Sequence, residues 1–231
     1  MSFSPEELEA LSLSLKVSFF AILWGLPLAI VTAYILARKF FPLKTLVEVI
    51  VHAPIILPPV IIGYFLLQYF GPSSSIGIWL DQTLGFSFSF NWKGASLAAG
   101  IMAFPLMVRA IKLSFETNGA KFEWVARTLG SSPLKAFFTI TLPMAFPGIL
   151  TGGILGFARA LGEFGATITF VSSIPGLTQT LPLSLFKYIE TPGGEDASFR
   201  IMILSLGLAL GALILSEVLA RRIKVRNGVS S

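Results

Sequence analysis

The sequence predicts an all-α polytopic membrane protein, and three observations carry the prediction. Hydrophobic residues fill 54% of the 231 positions and charged residues only 13%, about half the charged share of an ordinary soluble domain. Mean hydropathy is +0.81. Apolar stretches long enough to cross a hydrocarbon core of about 30 Å recur along the chain, separated by segments whose charge alternates in sign.

Five such stretches are expected, over residues 11–37, 45–70, 93–113, 137–161 and 199–219. The second is interrupted by Pro54, Pro58 and Pro59, which remove helix hydrogen bonds and should kink it. A hinge and an ordinary packing kink are both open readings there. His52 beside the kink is expected to be a satisfied histidine rather than a ligand. The interval 71–92 is rich in Ser, Gly and Phe with Asp81 as its one acid, and is expected to be a loop at the interface.

Basic residues set the orientation. Segments 38–44, 109–135 and 221–226 hold three, five and four of the 17 Lys and Arg residues. The alternate segments hold Glu6, Glu7, Glu9, Asp81, Glu190, Glu195 and Asp196. Basic loops stay in the cytoplasm, which predicts an external N-terminus, an internal C-terminus and an odd number of spans. Glu6, Glu7 and Glu9 are also unlike the basic leader of a signal peptide.

Residues 162–198 are apolar enough to tempt a sixth crossing, yet a crossing would place the basic tail outside. We expect an excursion from the outer side instead: a re-entrant or interfacial piece near Thr167–Val171, then a short helix near Leu181–Ile189. Irregular backbone at membrane depth is tolerated where it is buried in protein or lines a cavity, so this stretch is a pathway candidate.

Composition also narrows the chemistry. No cysteine and a single histidine are present, which leaves no thiolate or histidine cluster for a metal, and no cofactor is expected. The phosphate-cradling pattern G-x-x-x-x-G-K-[ST] does not occur, nor does the G-x-S-x-G nucleophile turn. The chain is therefore not expected to be an enzyme. There is no basic soluble module for nucleic acid.

The longest mixed-polarity interval, NGAKFEWVARTLGSSPLKAFFTITLPMAFP at 118–147, predicts a short helix with both ends marked. Asn118 or Thr117 is the expected cap, Gly130 the left-handed stop, and Pro133 the block to continuation. Phe122, Val125, Ala126 and Leu129 share one face at helical spacing. Lys121, Glu123 and Arg127 lie off that stripe, with Glu123 and Arg127 spaced to pair.

Gly130, nine residues, then Ile140-Thr141-Leu142-Pro143 resembles the cytoplasmic "EAA" loop of ABC-importer permeases. In that pattern Glu and two Ala stand six, five and four residues before the Gly. Here those positions are Trp124, Val125 and Ala126, and Glu123 is displaced by one. The likeness continues in HAPIILPPVIIGY at 52–64, FPLMVRAI at 104–111, ARALGEFGATITFVSSIPG at 158–176 and ETPGGE at 190–195, stretches similar to molybdate-importer permeases.

The resemblance implies a type I importer-permease fold in one membrane domain over residues 1–231, with its coupling loop at about 114–136. It implies a homodimer in the bacterial inner membrane lipid, with two copies of a cytoplasmic ATPase and an extracytoplasmic binding protein that delivers the oxyanion. Phe122, Glu123, Val125, Ala126, Arg127, Leu129 and Gly130 would form the ATPase-coupling segment. Sulfate and tungstate permeases are near relatives of the same pattern.

Arg159 and Glu163 are the strongest intramembrane signal, since ionisable groups in a span are costly. Their i, i+4 spacing allows a structural ion pair. The alternative has Arg159, Glu163, Thr167 and Thr169 on an anion route. Gly148, Gly152, Gly153 and Gly156 form a small-residue face for close helix packing. Two other classes remain for comparison. An ion-coupled secondary transporter predicts internal repeats and several buried carboxylates, and a membrane scaffold or sensor predicts a sizeable soluble module.

Overall fold

The computed structural model describes residues 3–117 and 120–226, with side chains described through residue 214 and at Val218. Every regular element among them is helical. α1 (Pro5–Arg38) starts with Ser4 and Glu7 in a reciprocal capping box, which satisfies orphan donors of the first turn. α2 (Lys44–Ile56) and α3 (Pro59–Phe70) meet at 109° across Leu57-Pro58. Pro58 holds extended backbone and Pro59 opens the new helix, so the kink expected from the prolines is a full break.

The interval expected to be a loop contains a helix instead, α4 (Ser75–Leu84). The Ser74 hydroxyl accepts from the Gly77 N–H at one end, and Gly85 closes the other in the left-handed region. Flanking Ser and Gly, read as loop composition, are the caps of that helix.

α5 (Trp92–Thr117) is the most enclosed span and packs along α1 and α9 (Phe146–Leu161). Small residues let the backbones approach. Ala21, Ala29 and Ala33 of α1 and Ala95, Ala98 and Ala103 of α5 are fully buried. Gly148, Gly152 and Gly156 of α9 leave room for Ser114, Ile111 and Met107 of α5, so three of the four glycines serve close packing. Among the described residues, Gly153 meets Leu26 alone, at ordinary contact distance.

Between α5 and α9 lie α6 (Lys121–Thr128), α7 (Pro133–Ala136), a π turn (Phe137–Thr141) and α8 (Leu142–Met144). The stretch Pro133–Met144 meets α9 at 66°. α10 (Gly165–Val171) and α11 (Leu181–Glu190) then occupy the excursion, near the places expected for its two pieces. α12 (Glu195–Arg226) follows, and its Glu195–Ile214 part is mostly exposed. α1, α5 and the Glu195–Ile214 part of α12 are each long and apolar enough to cross a membrane; counting each bent pair as one crossing gives five.

At the acidic end of the bundle a clasp joins α1, α11 and α12. Glu7, fully buried, accepts from Arg200 at 2.8 Å. Glu6 takes the Tyr188 hydroxyl at 3.0 Å and Lys187 at 3.6 Å. Burial first, then the Glu6 carboxylate, raises the Tyr188 phenol above its ordinary pKa. The Leu181 N–H donates to Ser14 at 2.7 Å, which docks the first turn of α11 on α1.

Candidate coupling and pathway site

α6 has eight residues, too few to be stable alone, so its orientation depends on what it touches. Its buried side chains are Glu123 and Ala126. Phe122, Trp124, Val125 and Leu129 are exposed, Leu129 to 82%. The predicted stripe is therefore divided: Ala126 lies on the bundle, while Phe122, Val125 and Leu129 form an open apolar face. A cavity of about 460 Å³ beside it is lined by Ala120, Lys121, Trp124 and Val125.

The ends of α6 differ in part from expectation. Gly130 stands at φ +91°, the left-handed stop that its position requires. Its N–H donates to Arg127 O, and the Ser131 N–H donates to Ala126 O. Ala120 occupies the N-cap position without a side-chain bond. Thr117 is the last residue of α5, its hydroxyl donating to Leu113 O, and so does not cap α6. Asn118 lies outside the described residues.

The expected Glu123–Arg127 pair does not form among the described residues. Glu123 faces the bundle, where one oxygen accepts from the Tyr34 hydroxyl at 2.9 Å and the other from the Thr141 hydroxyl at 3.0 Å. Arg127 is exposed. The Tyr34 ring packs edge-on against Phe115 and Phe137, with centroids 5.6 and 4.8 Å away.

Sequence reasoning did not single out Tyr34. Its one signal is a phenol at the basic end of an otherwise apolar span, and its partner lies 89 positions away.

The second candidate group sits at the far end of α9. Arg159 reaches Glu163 at 2.7 Å; Glu163 is buried and Arg159 about 30% exposed. The other Glu163 oxygen accepts from the Ala166 N–H at 2.9 Å, so the carboxylate also caps α10 near its positive end. Thr167 is buried, and the Thr169 hydroxyl donates to Gly165 O. The ion pair exists, and both threonines lie within the packing of α10.

α10 is wedged against the α2–α3 break. A Cβ at Gly63 would stand 2.5 Å from Ala166 O, and one at Gly165 would stand 2.8 Å from Pro59 Cβ. His52 close to the break has Nδ1 2.8 Å from Glu48 O, a satisfied side chain. Glu48 itself pairs with Lys112 of α5 at 2.6 Å. Among the described residues no cluster of three potential metal ligands occurs.

Bent spans around one central helix, with a short amphipathic helix held outside them, define the class: a multi-pass importer permease of the type I fold. The chain belongs to the family described as "Binding-protein-dependent transport system inner membrane component", whose model matches residues 25–225. Molybdenum transport system permease protein ModB of Haemophilus influenzae is 51% identical over 222 residues, covering 96% of this chain and 97% of that protein. The protein of the same name from Escherichia coli K12 is 50% identical over 228 residues, covering 99% and 100%.

Among solved structures, a bacterial alginate ABC transporter in complex with an alginate-bound periplasmic protein superposes with a TM-score of 0.73. It is 16% identical and covers 95% of this chain and 80% of its own. That likeness carries the fold. With the family and the apolar helices, it makes this chain an inner-membrane, multi-pass permease of the ABC-importer kind.

Proposed function

We propose that the chain is the membrane-spanning permease of an ATP-driven molybdate importer, one membrane domain that forms the translocation pathway as a homodimer. Hydrolysis falls to two copies of a separate cytoplasmic ATPase, and delivery to an extracytoplasmic binding protein. Full-length identity of about half to molybdenum permeases supports the substrate. The charge asymmetry of the loops supports an external N-terminus and an internal C-terminus.

The observation that carries the coupling reading is the divided face of α6. Glu123 and Ala126 fix the helix to the bundle, and Phe122, Val125 and Leu129 are left facing outward. An interfacial helix would carry several cations on its polar face. α6 carries two, Lys121 and Arg127, and its exposed apolar residues outnumber them. A cleft in a partner that receives apolar anchors at helical spacing fits better. Arg127, beside those anchors, is free to meet a carboxylate there.

From α6 the contacts lead through the π turn and the 66° bend into α9, through Glu163 into α10, and onto the α2–α3 break. In this reading a movement of the ATPase reaches the pathway along that line. Arg159 stands at its outer end with one face exposed. Strong binding within the membrane would prevent release of a hydrated dianion. Of the other cations toward the acidic end, Lys187 and Arg200 are held by Glu6 and Glu7, and Lys16 and Lys93 lie over the rings of Trp92 and Phe86. Selection of the anion then rests mainly on the delivering protein.

Proteoliposomes holding the chain, its cognate ATPase and its binding protein test this reading. ATP-dependent uptake of labelled molybdate is expected, with tungstate and sulfate as competitors. Uptake that persists without the ATPase and follows a proton or sodium gradient would contradict it.

A further inference from the structure

Glu123 occupies a helix whose other large side chains face outward, yet it is 8% exposed. Among the described residues it is the one residue of α6 whose side chain hydrogen-bonds to another element, and it reaches two. Tyr34 belongs to the basic end of α1. Thr141 is the last residue of the π turn, with the short α8 between it and the bend into α9. That turn is wide: the Leu142 N–H donates to Phe137 O, five residues back. Single π turns are rare and concentrate at functional places, because the extra residue per turn loosens the helix locally.

One carboxylate therefore ties α6 simultaneously to α1 and to the π turn within the α7–α9 stretch. Both bonds are made largely out of water, where a hydrogen bond is stronger than in solvent. The Tyr34 ring is itself wedged between Phe115 of α5 and Phe137 of the π turn. A displacement of α6 must then either pull these elements along or break both hydrogen bonds.

We propose that Glu123 is a positioning residue: it transmits movement of α6 to α1 and to the π turn, and makes no contact with the ATPase itself. The proposal rests on α6 as the docking helix and adds that its acidic position faces away from the partner. The carboxamide of Gln can still accept from Tyr34 and donate to Thr141 Oγ1, so the tie survives that exchange without the charge.

Reconstituted complexes of chain, ATPase and binding protein carrying Glu123→Gln, Glu123→Ala, Tyr34→Phe or Thr141→Val test this. Three quantities are measured: ATPase retained, ATP hydrolysed and molybdate taken up per ATP. Glu123→Gln should stay within about twofold of the parent in all three. Tyr34→Phe and Thr141→Val should retain the ATPase and hydrolyse ATP, while uptake per ATP falls about fivefold or more, on the order expected for losing one hydrogen bond.

Loss of the ATPase from Glu123→Gln would overturn the proposal, since it would mean that the partner reads the charge. Unchanged uptake per ATP in both Tyr34→Phe and Thr141→Val would overturn it as well. If Glu123→Ala does not assemble, these two single-group variants decide. Failure of the docking reading is separately visible, because Val125→Asp would then keep its ATPase.

Discussion

Arg159 and Glu163, one turn apart at the end of α9, form a 2.7 Å ion pair, and the same carboxylate accepts from the Ala166 N–H at the start of α10. One buried acid thus joins the end of a span to the element wedged on the α2–α3 break. Removing the arginine leaves that acid with a single backbone donor.

Arg159→Ala is expected to lower the amount of folded complex. Breaking a buried pair costs about 3–5 kcal/mol, and the effect should fall below that range because Arg159 is about 30% exposed. Adding Glu163→Gln keeps an acceptor for Ala166 and removes the stranded charge, so the double variant should recover part of the loss. Size-exclusion yield and the melting temperature of the purified complex measure both. An Arg159→Ala variant that assembles normally yet loses uptake would assign the arginine to the anion route instead.

The seam between α3 and α10 gives a second expectation. Gly63→Ala places a methyl 2.5 Å from Ala166 O, against backbone that has little room to retreat. Overpacking of this kind costs about 1–3 kcal/mol. Among the described residues Gly153→Ala meets only Leu26, at 3.6 Å, and replacing a helical glycine gains up to about 1 kcal/mol. Melting temperatures should fall for Gly63→Ala and hold or rise for Gly153→Ala; equal effects would contradict the close approach of the two helices.

The sequence carried these features unevenly. The approximate spans, an interruption of the second one and the places of the two pieces after Glu163 were legible because hydropathy and proline act locally; that the interruption is a full break, and that the first piece is a helix, were not. So was Gly130, since a glycine before Pro133 at a helix end has few other uses. The helix Ser75–Leu84 was missed because its capping residues look like loop composition. The direction of Glu123 was beyond local reading: only Tyr34, 89 residues earlier, and Thr141 reveal it. Glu7 and Arg200, 193 apart, are hidden for the same reason.

Orientation can be read directly, because the parent chain has no cysteine. Single variants Asp81→Cys and Glu195→Cys replace exposed residues at the acidic side, and Pro42→Cys replaces one at the basic side. A membrane-impermeant thiol reagent applied from outside is expected to label the first two and spare the third. Labelling of Pro42→Cys from outside would reverse the topology and separate α6 from a cytoplasmic partner.

The most direct test of the coupling face replaces its outward residues and its stop. Val125→Asp and Leu129→Asp put charge on positions that are open in the chain alone, so insertion and dimer formation should persist. Gly130→Val strains a backbone at φ +91° where, among the described residues, no atom lies within 4 Å of an added Cβ. Its penalty of about 1–2 kcal/mol is conformational and redirects α6 without unpacking the spans. Each variant is purified with its ATPase, and the fraction of ATPase retained is measured together with hydrolysis stimulated by the loaded binding protein. Loss of retention or of stimulation in all three, with dimers intact, is the predicted result; full retention and normal stimulation would show that α6 is not the coupling element.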